Sequence, residues 1–293
     1  MKQGWLSRIA KRWKLFVQIA SVQFYLILSI ASRAQSLVPE PVFQDPQLLA
    51  GSAGYPAEGK NGAAYLFPNV GPGLDALITI QGKSSDRVSL DAIDLKGPEQ
   101  DSVNGTGYDD AWQPVISYDN GYAKSHTRWW MEFKISFVKH GRPEQPADVN
   151  QFFVSGLDID GDGKSLHEFV SFYGMQNYSL EAHSAVYAVD LNDFNKNPRF
   201  EGKRFDGPVK NYKGITVGAT DVMVSGYYKQ VSSIVVRLGA ETGKLASHSA
   251  SRKYSLWFRS LAMDVPVNRV WQTKMMVWNE PAPAGKNINA FKF

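Results

Sequence analysis

Trp129-Trp130-Met131-Glu132-Phe133-Lys134-Ile135-Ser136-Phe137 decides the fold class. Trp129, Met131, Phe133, Ile135 and Phe137 fall on alternate positions, with Glu132, Lys134 and Ser136 between them. Successive side chains of an extended chain point to opposite faces, so this period of two predicts a strand with one face in a core and one toward solvent. Trp130 is the aromatic residue on the polar side.

Similar short runs of aromatic and β-branched residues lie on both sides of it, separated by Gly, Asn and Asp clusters. The expected strands are residues 74–81, 112–118, 152–157, 168–173, 185–189, 222–228, 234–238 and 254–261. After residue 34 no stretch keeps a helical period over three turns. Many short strands without helices between them predict an all-β, antiparallel β-sandwich of jelly-roll type, with a closed barrel as the alternative. The domain is expected over residues 63–265, and its halves before and after about Asn192 are each expected to supply a sheet.

The flanks read differently. Residues 35–62 carry Pro39, Pro41, Pro46, Gly51, Gly54, Pro56 and Gly59 without a period, as a linker or N-terminal arm does. Residues 266–293 form a Pro-punctuated tail. Residues 1–34 have a basic start through Lys14, an apolar stretch from Leu15 to Ile30, and the small-residue run Ala31-Ser32-Arg33-Ala34. Those three parts predict a signal peptide cleaved after Ala34, and so an exported protein at the cell surface, in the periplasm or outside the cell. No other apolar run is long enough for a helical span, so no transmembrane span is expected after cleavage.

Charge then argues against a nucleic-acid partner. The 293 residues have a formal net charge of +4, from 32 basic and 28 acidic residues. Six of the basic residues and none of the acidic ones precede Gln35, which leaves 26 against 28 in the remainder. The basic footprint that a nucleic acid needs thus sits in the segment expected to be removed. Zero cysteines exclude disulfides, thiolate metal sites and a cysteine nucleophile.

Leu157-Asp158-Ile159-Asp160-Gly161-Asp162-Gly163 is the strongest local motif. Asp158, Asp160 and Asp162 occupy positions one, three and five of a calcium-loop pattern, and Gly163 position six, where glycine permits a sharp turn. Hard carboxylate oxygens at this spacing select calcium. Phe169 stands where the bidentate acid belongs and Glu168 one place earlier, and the flanks read as strands. An EF-hand is therefore rejected in favour of a calcium loop between strands, completed by Glu168 or by an acid elsewhere. An Asp/Gly hairpin capping its own backbone is the alternative. A second acidic loop, residues 104–110 with Asp109 and Asp110, is a weaker ligand source.

Catalytic signatures are missing: the histidines are scattered, and there is no nucleophile elbow, phosphate loop or dinucleotide fingerprint. His167 and Glu168 are adjacent on an expected strand and so face opposite sides. Trp130, on the polar side of its strand, and Trp257, between Ser255 and Arg259, are the candidate ligand-binding aromatics, suited to a sugar ring or a partner's pocket.

The stretch from Leu74 to Tyr178 resembles domains of large secreted, surface-associated proteins of Bacteroidetes-type bacteria. The residues that carry the resemblance are Leu74-Asp75-Ala76-Leu77-Ile78-Thr79-Ile80, Tyr108-Asp109-Asp110-Ala111-Trp112-Gln113-Pro114 and the Leu157–Asp162 loop with Glu168-Phe169-Val170. The resemblance implies a β-sandwich module with a calcium-type loop, of adhesin-like or uncharacterised kind. Together these readings predict a noncatalytic module binding a surface glycan or protein, with a carbohydrate-active hydrolase or a structural envelope protein as alternatives.

Overall fold

The computed structural model describes residues 40–49, 56–96, 106–119, 127–191, 202–243, 250–263 and 266–270. The expected signal segment lies outside them, as does the tail after Val270.

The described residues form antiparallel strands and no α-helix; one 3-10 turn spans Thr220–Val222. In chain order the strands are β1 (Gln47–Leu48), β2 (Ala64–Gly71), β3 (Leu74–Lys83), β4 (Val88–Ala92), β5 (Val115–Tyr118) and β6 (Arg128–Lys139). There follow β7 (Arg142–Pro146), β8 (Val149–Leu157), β9 (Leu166–Tyr173), β10 (Asn177–Glu181), β11 (Tyr187–Leu191) and β12 (Gly202–Asp206). The last are β13 (Val224–Val231), β14 (Ser233–Thr242), β15 (Ala250–Lys253), β16 (Ser255–Trp257) and β17 (Pro266–Val270).

These strands build a sandwich-like arrangement. The large sheet has the order β1-β2-β3-β6-β14-β9-β12-β11, with β7 added to β6. A five-stranded sheet runs β16-β8-β13-β10-β17, and a three-stranded sheet runs β15-β5-β4. The expected alternation of β6 is borne out: Trp129, Met131, Phe133, Ile135 and Phe137 are buried while Lys134 is exposed. Phe137 meets Phe152 of β8 edge to face at 5.1 Å, joining the large sheet to the five-stranded one. Tyr118 of β5 stacks on Trp129 at 5.7 Å, closing the small sheet onto the same core.

Two expectations change. The halves about Asn192 do not each make a sheet, because β14 lies between β6 and β9 and so threads the later half through the middle of the earlier one. The central strand of an antiparallel sheet needs partners on both edges, and here they come from distant parts of the chain. The stretch from residue 35 to 62 is not all a loose arm either. Phe43 is fully buried against Phe67 and Phe258, and β1 pairs with β2.

Candidate functional site

Between β8 and β9 the chain turns through the Leu157–Gly163 motif. Asp158 takes the left-handed backbone at φ 55°, which Asp tolerates better than most residues, and Gly163 does so at φ 72°. Asp162 Oδ1 accepts the backbone N–H groups of Lys164 (2.8 Å), Ser165 (2.8 Å) and Leu166 (3.0 Å). Burial opposes its charge, but these three bonds outweigh it and hold the Asp162 carboxyl below the usual carboxylate range. The turn also lies against a neighbouring segment: Gly161 N–H donates to Lys210 O (3.2 Å), and Gly163 N–H to Val209 O (2.8 Å).

The three aspartates of the motif and Glu168 do not meet solvent alone. Glu168 lies opposite Ala240, which is opposite Trp129, so it shares the inward face of the large sheet and is buried. Arg252 lies opposite the buried Ile116 and so points inward from the small sheet. Its Nε donates to Glu168 in a short ion pair, and its Nη2 reaches Asp160 Oδ1 at 3.1 Å. The other oxygen of Asp160 accepts Tyr212 N–H. Burial, then the charges of Asp160 and Glu168, push Asp158 up to about 8; its Oδ1 is buried without a hydrogen-bond partner. Burial likewise raises Asp160 to about 6, against the opposing pull of Tyr212 N–H and Arg252. Burial also raises Glu168, yet the same contact strengthens the hold of Arg252 on its proton, and the geometry is that of an ion pair.

Calcium takes six to eight oxygens at about 2.3–2.6 Å. Here Asp160, Asp162 and Glu168 already spend oxygens on Arg252 and on backbone N–H groups. Among the described residues no three His, Cys, Asp or Glu side chains gather as a metal site. A calcium ion on Asp158, Asp160, Asp162 and Glu168 requires those bonds to rearrange and Arg252 to leave.

The second acidic loop forms a separate cluster. Lys253 Nζ donates to Thr106 O (2.6 Å) and stands in the field of Asp94 and Asp109. Asp110 instead accepts Gln44 Nε2 at 3.0 Å. Asp94 Oδ1 accepts Gln113 N–H (2.9 Å), and burial, partly offset by that bond, raises its carboxyl to about 6.

The two candidate tryptophans stand on opposite outer faces of the sandwich. Trp130 is half-buried on the outward side of β6, with the Arg237 guanidinium 3.9 Å from its ring centroid. Arg237 is held in turn by Glu132, at 3.1 Å from Nε and 2.6 Å from Nη2. Trp257 lies opposite Ser155 on the outward side of the five-stranded sheet. Tyr108 stacks on it with centroids 4.2 Å apart and planes at 17°, and Arg259 lies over it at 4.5 Å. The two tryptophans therefore cannot line one ligand site.

No family model matches this chain, and no curated protein matches it. Among solved structures, the N-terminal domain of the Streptococcus gordonii adhesin Sgo0707 is similar at 12% identity and a TM-score of 0.38. The match covers 74% of this chain and 55% of that one, so the chain spans about half the length of that structure.

Sequence reasoning missed Arg252, Lys253, Arg237 and Tyr108. A sign was present for Arg237, a charge in the alternating run Val235-Val236-Arg237-Leu238 with Glu132 on the strand that became its neighbour. Nothing local marks Arg252 as inward. His167 and Glu168 do point to opposite faces, His167 sharing the outer row of Glu241.

Proposed function

We propose that the chain is an exported, noncatalytic surface module that binds a glycan or a protein through the outer face of its large sheet. The observation that carries this reading is a cross-strand row over five adjacent strands with an accessible aromatic ring at each end. Trp130, Gly239, Phe169, Asp206 and Tyr187 lie opposite one another in register. Gly239 is closely packed within the row: a Cβ there would stand 2.2 Å from Trp129 O, 2.7 Å from Trp130 Cβ and 2.8 Å from Phe169 Cζ. The middle of the row is closed, with Phe169 and Asp206 buried and Arg204 over Phe169 at 5.4 Å, so the accessible rings are Trp130, half-buried beside Arg237, and Tyr187, 56% exposed. Aromatic rings on a rigid sheet suit the apolar face of a sugar, and guanidinium groups beside them supply donors to its hydroxyls or to a protein's acids.

The hydrolase reading finds less support. Asp160 and Glu168, whose carboxyls are raised as a general acid's would be, are buried and paired with Arg252.

Binding of the full chain to a glycan array, run beside turnover assays on the same sugars, tests the proposal. Saturable binding without product, weakened at least tenfold by Trp130→Ala but not by Trp257→Ala, is the expected result. Product formation, or binding that survives Trp130→Ala and is lost in a correctly folded Trp257→Ala, overturns it.

A further inference from the structure

We infer that Arg252 is the built-in cation of the Leu157–Gly163 loop, standing where its sequence pattern calls for a divalent metal, so that the loop closes without one. Three observations carry this. The first is position: Arg252 occupies an inward-facing place opposite Ile116, where the strand pattern calls for an apolar side chain. A guanidinium is kept there because something inside needs its charge. The second is contact: one planar group reaches both Asp160 and Glu168, which come from opposite ends of the loop. Bridging two carboxylates is the work that calcium does in a loop of this spacing, and a guanidinium fork does it with fixed geometry. The third is repetition: Lys253, the next residue, serves the other acidic loop through Thr106 O, in the field of Asp94 and Asp109. One four-residue strand thus supplies the countercharge of both acidic loops.

Removing Arg252 would leave Glu168 and Asp160 Oδ1 buried without their countercharge, and the vacated space would then be lined by carboxylate oxygens. Such a site has the chemistry of a calcium site that the intact protein keeps filled by its own side chain. This inference is independent of the surface-binding proposal, since Glu168 and Arg252 lie on the inward faces of their sheets.

Thermal melts of the full chain in millimolar calcium and in chelator provide the test, with Arg252→Ala and Asp160→Asn alongside. The wild type is expected to melt at the same temperature in both media. Arg252→Ala is expected to melt roughly 10 °C lower in chelator and to recover part of that loss in calcium. If Arg252→Ala does not fold in chelator, Arg252→Lys, which keeps the charge but loses the two-point fork, is expected to melt at an intermediate temperature without a calcium response. A calcium-dependent rise in the wild type that Asp160→Asn abolishes overturns the inference. So does an Arg252→Ala protein as stable as wild type in chelator.

Discussion

Arg252 and Lys253 are consecutive residues of β15 whose side chains leave the strand on opposite sides, one to Asp160 and Glu168 and the other to the carbonyl of Thr106. An extended chain alternates its faces, so two adjacent cations can serve two acidic loops from one strand. The three-stranded sheet is therefore an electrostatic clasp as well as a cover for Trp129.

The Lys253 side of that clasp makes stability depend on pH. Burial raises Asp94 from 3.8 to about 6. A carboxyl raised in the folded state favours folding while protonated, and that contribution fades as pH rises from about 4 through 6. Asp94→Asn still accepts Gln113 N–H but cannot ionise. Its stability relative to wild type is expected to rise by on the order of 2 kcal/mol between pH 4 and pH 7 and then level off. Urea denaturation across that range measures it; a difference that is flat with pH would remove Asp94 as the source.

Trp257 is expected to act as structure rather than as a platform. With Tyr108 stacked on it and Arg259 over it, Trp257→Ala should cost about 2 kcal/mol, less than the loss for a fully buried tryptophan. A double-mutant cycle with Tyr108→Ala should return a coupling of about 1 kcal/mol. Additive losses would mean that the rings do not stabilise each other.

The glycines of the acidic motif separate turn from close packing. At Gly163 the obstacle is backbone conformation, since an added Cβ meets nothing nearer than 3.7 Å, and Gly163→Ala should cost about 1 kcal/mol. At Gly161 a Cβ would lie 2.3 Å from Val209 O and 2.4 Å from Leu166 O, so Gly161→Ala should cost on the order of 3 kcal/mol. Chemical denaturation of the two variants gives the order, and the reverse order would mean that the loop does not pack against residues 207–210.

Sequence alone determined the class of the fold and the places where the chain turns. Alternation in β6 and the short apolar runs elsewhere are local signals, because a strand's two faces are written into its own residues. Strands with mixed or polar composition, such as β7 with its sequence Arg-Pro-Glu-Gln-Pro and β12 with Gly-Lys-Arg-Phe-Asp, carry no such period and are strands because a neighbour pairs with them. The acidic motif was equally legible as a turn that gathers charge. Only the tertiary structure decided what faces that charge. Arg252 comes from another sheet, and whether a buried carboxylate meets a guanidinium, a proton or an ion depends on which distant side chain the packed core brings within about 3 Å of it. The same holds for Trp130 and Trp257, alike in sequence as tryptophans on polar faces. Packing gave one an arginine from the neighbouring strand and the other a stacked tyrosine, and sheet pairing set them on different sheets.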